Sequence, residues 1–201
     1  MYSYDNDALA LLLVMWLLIF PIIFIVSYVI SALFIRKLLV LAGSPSPNLA
    51  WIPVFNGMLW AKLTDVSPWV YLIVVLGSGI LSGIPVLGWI IALLPVILMV
   101  LMILRTNQKL GKDPVGWTIF GVLLSLIWMI VLLVQGNSLT WRTGAANGVP
   151  APFWHKWGAF FHDTTTFGGI PHQGYPLPQG PAAPPQAPPA TPSQAPPPPA
   201  V

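Results

Sequence analysis

The hydrophobic positions of this chain come in long unbroken runs separated by short polar or turn-forming stretches. Between residues 66 and 104 there is no Asp, Glu, Lys or Arg. At about 1.5 Å of rise per residue, one helix over that run would reach nearly 60 Å, roughly twice the hydrocarbon core of a bilayer, so the run is expected to turn back on itself. Gly83-Ile84-Pro85 is the expected elbow, dividing it into helices over 67–83 and 85–104, with Pro85 suited to a first helical turn because its missing N–H costs nothing there. An earlier run, 8–35, is long enough to span with tilt, carries Pro21 where a kink is expected, and should be stopped by Arg36 and Lys37. A last run, 115–134, follows the turn Gly111-Lys112-Asp113-Pro114. Residues 49–63 are apolar but too short to span. Trp51, Phe55, Met58 and Leu59 fall near one face there, which predicts a helix lying at the membrane surface or tucked beneath the bundle.

Composition agrees with a lipid setting. Hydrophobic residues make up 56% and charged residues 6% of the chain, and the mean hydropathy is +0.80, which excludes a soluble core of ordinary proportions. The expected fold class is all-α integral membrane. It has about four short transmembrane helices (8–35, 67–83, 85–104 and 115–134) whose central pair is a tight hairpin, plus the interfacial helix over 49–63. These elements form a membrane domain over 8–141, preceded by a short amino-terminal segment, 1–7, and followed by an aromatic juxtamembrane segment, 142–163. Residues 164–201 carry no charge and are dense in Pro, Ala and Gln from Pro171 onward, so they cannot bury a core and are expected to form a disordered proline-rich tail with polyproline II character.

The charges set an expected orientation. Of the eight basic residues, Arg36, Lys37, Lys62, Arg105, Lys109 and Lys112 fall in two loops that the positive-inside bias assigns to the cytoplasm, while Arg142 and Lys156 follow the last span. The amino terminus and the tail are then extracytoplasmic. The first apolar run is much longer than a signal-peptide core and is expected to be kept as an anchor. The basic residues are spread thinly beside apolar segments, so membrane lipid is an expected partner and nucleic acid is not.

Candidate chemistry is sparse. The chain has no cysteine, which removes disulfides, thiolate metal sites and cysteine nucleophiles. The polar side chains expected at depth, Ser27, Tyr28, Ser31, Ser78, Ser82, Thr118 and Ser125, are of the kind that hydrogen-bond helix backbones or neighbouring helices. His155, His162 and His172 lack the companions that would complete a metal site, so neither metal nor cofactor is expected. Gly77, Gly79 and Gly83 include a GxxxG spacing that reads either as an oligomer contact or as packing within the chain. Phe153, Trp154, Trp157, Phe160 and Phe161 are too large and too many for a free linker and are expected to dock on lipid headgroups or on a partner. Trp69, Trp89, Trp117 and Trp141 fall near span ends, where an amphipathic ring acts as an anchor.

Trp51-Ile52-Pro53-Val54-Phe55-Asn56, then Lys62, Pro68-Trp69, Ile84-Pro85-Val86 and Asn107-Gln108-Lys109-Leu110-Gly111-Lys112 together resemble an uncharacterised family of small bacterial multi-pass membrane proteins. The resemblance covers residues 50–141 and departs from the family pattern at Gly88, where a second Asn is usual. It implies membrane class and architecture, and with the proline-rich end it points to a bacterial plasma membrane. The leading expectation is a non-enzymatic adaptor or scaffold that presents the aromatic patch and the proline-rich arm to a protein partner. The alternative is a small oligomeric channel, holin-like pore or carrier for a neutral or apolar solute.

Overall fold

The computed structural model describes residues 3–144, 147–157, 161 and 165–171. The expected tail beyond residue 171, and Phe160 of the aromatic patch, lie outside them. The described chain is all-helical, with six α-helices: α1 Ser3–Leu41, α2 Pro53–Leu63, α3 Pro68–Leu81, α4 Leu87–Lys109, α5 Pro114–Leu123 and α6 Ser125–Val134. Two stretches, Asp7–Leu41 and Leu87–Lys109, are long and apolar enough to cross a membrane.

Four helices open on proline at the first turn, at Pro53, Pro68 and Pro114 for α2, α3 and α5 and at Pro47 for a short 3-10 helix, Pro47–Trp51. The fixed φ of proline is already helical and its absent N–H is one that a first turn leaves unpaired anyway. Asp113 adds a side-chain cap at α5, accepting a hydrogen bond from the Gly116 N–H at 2.6 Å. Pro85 does not open α4. It sits in the turn between α3 and α4, and Val86, at φ +63°, precedes the first helical residue.

The core gathers at one end of the two longest helices. The last turns of α1 and α4, all of α2 from Asn56 onward and the middle of α6 bury Phe34, Ile35, Leu38, Leu39, Leu59, Leu63, Met102, Ile103 and Trp128. Phe34, Trp60 and Trp128 form an aromatic triangle there, with centroids 5.0 to 6.4 Å apart. The amino-terminal part of α1, residues 7–26, is exposed along its whole length. The molecule is therefore a packed head from which apolar helices project.

Several expectations change. Arg36 and Lys37 do not stop the first helix, which runs on to Leu41; Arg36 Nε reaches Asn48 Oδ1 at 3.1 Å, and Lys37 Nζ donates to the Leu132 and Leu133 carbonyls at 2.8 and 2.9 Å. Each charge finds its partner beside a continuing helix. The expected interfacial helix over 49–63 is two elements broken at Ile52, and α2 lies inside the head with Met58 and Leu59 buried while Trp51 and Phe55 stay exposed.

The largest change concerns 115–134, expected as one span. The backbone leaves the helical region at Leu124 (φ −131°, ψ 53°), dividing the run into α5 and α6, each of 10 residues. Thr118 before this corner and Trp128 after it both bond one side chain, Asn107: its Nδ2 donates to Thr118 Oγ1 at 3.3 Å and its Oδ1 accepts from Trp128 Nε1 at 3.1 Å. The chain has folded back on itself. Gly121 permits this, since a Cβ there would stand 2.7 Å from Ile103 and 3.2 Å from the Trp128 ring. Lys37 then caps the carbonyl end of α6, where a cation is favoured by the helix dipole.

Replacing Asn107 by Leu should strand the Trp128 indole N–H and the Thr118 hydroxyl in a buried site, at about 1–3 kcal/mol for each group left unpaired. Denaturation followed by tryptophan fluorescence should show a clear loss of stability for Asn107→Leu and a smaller one for Thr118→Val; equal stability of all three proteins would rule out Asn107 as the pin of the α5–α6 fold-back.

Candidate functional site

Three helices end in the same capping geometry. At α1, Ser44 N–H donates to Leu39 O and Gly43 N–H to Val40 O; at α4, Lys112 N–H donates to Asn107 O and Gly111 N–H to Gln108 O. In both, the residue past the end is a glycine with positive φ, +73° and +67°, as this double-bonded stop prefers. At α2 the same pair of bonds forms from Val66 to Ala61 and from Asp65 to Lys62, but the left-handed residue is Asp65, at φ +63°. That conformation costs an ordinary L residue about 1–2 kcal/mol, less for Asp than for most. A glycine would satisfy the backbone better, so the reason for an aspartate lies in its side chain.

The carboxylate is buried and accepts from two cations of α4. Arg105 Nε donates to Oδ2 at 2.6 Å and Lys109 Nζ donates to Oδ1 at 2.7 Å, with all three side chains at most 1% exposed. Arg105 and Lys109 are four residues apart and so share a helix face. Further donors of the two cations are engaged nearby: Lys109 Nζ also donates to Leu63 O at 2.6 Å and lies 5.5 Å from the centre of the Trp141 ring, while Arg105 Nη1 donates to Gln108 Oε1 at 2.8 Å and to Pro150 O at 2.6 Å. These are charge-assisted bonds in a water-poor site, the strong kind.

The chain after α6 closes over this cluster. Arg142 N–H donates to Lys109 O at 2.9 Å, Pro150 O accepts from Arg105, Trp154 Nε1 donates to Asp65 O at 2.9 Å, and Ser67 N–H donates to Phe161 O at 2.8 Å. Farther on, Lys62 Nζ donates to Thr165 O, Phe167 stacks on Phe55 at 5.8 Å, and Ile170 is buried within a turn that pairs it with Phe167. Residues 165–171 thus belong to the head and not to a disordered tail. The ties hold the described residues between 139 and 171 at the end of the bundle that also carries Arg36, Lys37, Lys62, Arg105 and Lys109.

The other expected site residues fare unevenly. Trp154 is not a surface contact but a buried strut at 1% exposure, whereas Phe153 and Trp157 are exposed at 60% and 58% and Phe161 is half-buried. Gly77, Gly79 and Gly83 have nothing within 4 Å of where a Cβ would stand, so among the described residues they bring no helix close; tight glycines lie elsewhere, among them Gly57 against Tyr71, Gly121 against Ile103 and Gly168 against Leu59. Arg105, Lys109 and Lys62, expected in loops, are buried. One sequence signal does point at the cluster: Asp65 is the sole acid between Asp7 and Asp113, and Arg105 and Lys109 sit four apart at the end of an apolar run. Among the described residues no three of His, Cys, Asp and Glu come together to hold a metal. With both Asp65 oxygens engaged by cations, the arrangement is suited to locking chain segments together.

Asp65→Gly tests this directly, because the substitution gives the backbone the residue it favours and removes only the acceptor. It should cost about 3–5 kcal/mol, the scale for leaving buried charges uncompensated, and should open residues 139–171 to limited proteolysis. Unfolding in detergent would measure the first and mapped cleavage the second; a protein as stable as the parent would show that the carboxylate holds nothing.

Comparisons with protein-family models, with curated proteins and with solved structures give no match to this chain.

Proposed function

We propose that this protein is a non-enzymatic membrane adaptor that anchors a proline-rich arm, residues 172–201, on a latched head. The observation that carries the reading is the set of ties from Lys109, Arg105, Asp65, Ser67 and Lys62 to residues 142–165. A chain that only needed to leave the membrane would not require five anchoring points on buried polar groups. The ties fix the place from which the arm departs, and its uncharged Pro, Ala and Gln sequence suits recognition by a proline-reading groove. Exposed Phe153 and Trp157, T-shaped at 5.5 Å, offer a further contact for lipid headgroups or for the same partner.

In this reading α1 and α4 cross the bilayer, α3 returns alongside α4, and the setting is the bacterial plasma membrane that the sequence resemblance implies. Gly77 and Gly79, open on the flank of α3, are where a second copy would approach.

Deleting residues 172–201 should abolish co-purification of the partner after crosslinking in cells while leaving the unfolding midpoint of the purified protein unchanged, since the deletion stops short of the docked turn at 165–171. Trp154→Ala should instead lower stability by about 3–5 kcal/mol, the usual cost of emptying a buried tryptophan site. Capture of the same proteins by the parent and the deleted chain would refute the adaptor reading.

A further inference from the structure

We infer that α5 and α6 form a re-entrant hairpin seated in a single leaflet, with lipid acyl chains as the occupant of its exposed surface. The inference does not depend on the adaptor reading. Its first support is length. Each helix has 10 residues, so at about 1.5 Å per residue each arm reaches roughly 15 Å, half of a hydrocarbon core of about 30 Å. Straightened into one helix, the same residues would be just long enough to cross; folded, they reach only the bilayer centre.

Both feet stand on the head. The first follows Lys112, whose Nζ lies 5.1 Å from the Trp117 ring centre, and the second is held by Lys37 on the Leu132 and Leu133 carbonyls, with Arg142 N–H on Lys109 O closing the loop behind it. No charged residue occurs from Pro114 to Val134. Charge and an aromatic anchor thus mark the base, and uncharged sequence whose polar side chains are Thr118 and Ser125 forms the arms, as insertion into lipid requires.

The tip is fit for lipid in its backbone as well. Leu123, Leu124 and Ile127 are exposed at 74%, 48% and 50%, and a non-helical residue in hydrocarbon is tolerated only when its polar groups are met. At Leu124, the one non-helical residue between α5 and α6, they are: its N–H donates to Phe120 O at 2.9 Å and its O accepts from Trp128 N–H at 2.8 Å. The consequence is that α5 and α6 contribute no crossing. The chain leaves α6 in the compartment from which it entered α5, and the arm shares that compartment with Lys112.

The absence of cysteine makes the test clean. Single-cysteine chains Lys112→Cys and Ser138→Cys, both at water-accessible positions, are reacted in sealed vesicles with a membrane-impermeant maleimide before and after permeabilisation. Leu124→Cys carries a fluorophore quenched by phospholipids spin-labelled at defined acyl-chain depths. The expected result is reaction of positions 112 and 138 from the same side, with position 124 quenched most by the deepest label. Reaction of 112 and 138 from opposite sides would restore a straight span and overturn the inference. Same-side reaction with quenching only by headgroup-level labels would place the hairpin flat on the surface, and disulfide-linked dimers of the unlabelled Leu124→Cys chain, with no lipid quenching of the labelled one, would assign the tip to a second copy; either outcome overturns it as well.

Discussion

One carboxylate holds the head together. Asp65 stands where α2 stops and α3 has yet to begin, in a backbone conformation that glycine would adopt more readily, and draws Arg105 and Lys109 of α4 onto its two oxygens. Burying three charges is expensive, and a pair that lost either partner would be strongly destabilising. The geometry that repays the expense is on hand: short charge-assisted bonds, a lysine that also caps the Leu63 carbonyl, and an arginine whose second nitrogen reaches Gln108 and Pro150. The aspartate backbone is itself an acceptor, for Trp154. α2, α4 and the chain after α6 therefore meet on one residue.

The same logic recurs at lower charge on the same turn of α4 and beyond it. Thr106 Oγ1 accepts from Trp60 Nε1 at 2.9 Å while bonding Met102 O, and Asn107 joins Thr118 to Trp128. Asn56 accepts from Ser31 of α1 at 3.1 Å and donates to Ala50 O at 2.9 Å. Between helices that lipid would solvate as well as a neighbour does, apolar contact alone discriminates little between arrangements, and paired polar groups supply the specificity. Aromatic rings fill the space between these bonds. The result is order concentrated at one end, with apolar helices projecting from it into a setting where they need no partner but lipid.

How much was legible beforehand depends on the range of each signal. The α3–α4 hairpin could be read from a charge-free run too long for one span, and its turn falls around Gly83-Ile84-Pro85 as expected, although α4 starts later, at Leu87, and runs on to Lys109. The proline signal was assigned to the wrong residue, since Pro53, Pro68 and Pro114 open helices and Pro85 lies in the turn before one. The run 115–134 misled because Leu124 carries no breaker residue: its corner is imposed by Asn107 and Lys37, which lie far away in the chain. Trp154 reads as a surface aromatic for the same reason, since nothing near it in sequence shows that the Asp65 carbonyl awaits it. Arg105 and Lys109 look like charges closing a span, and in isolation they would be.

By itself, then, the sequence determined the features that depend on composition and on periodicity over neighbouring residues: an all-helical chain with stretches apolar enough for lipid and a turn inside the longest run. Only the tertiary structure decided which polar groups meet. Asp65 with Arg105 and Lys109, Asn107 with Thr118 and Trp128, and Lys37 with the end of α6 are separated by 11 to 96 positions, and hydrogen bonds and ion pairs act over a few ångströms of space whatever the distance along the chain. Local pattern fixes which segments become helices, whereas the pairing of scarce polar groups fixes where each helix ends and which way the chain leaves it.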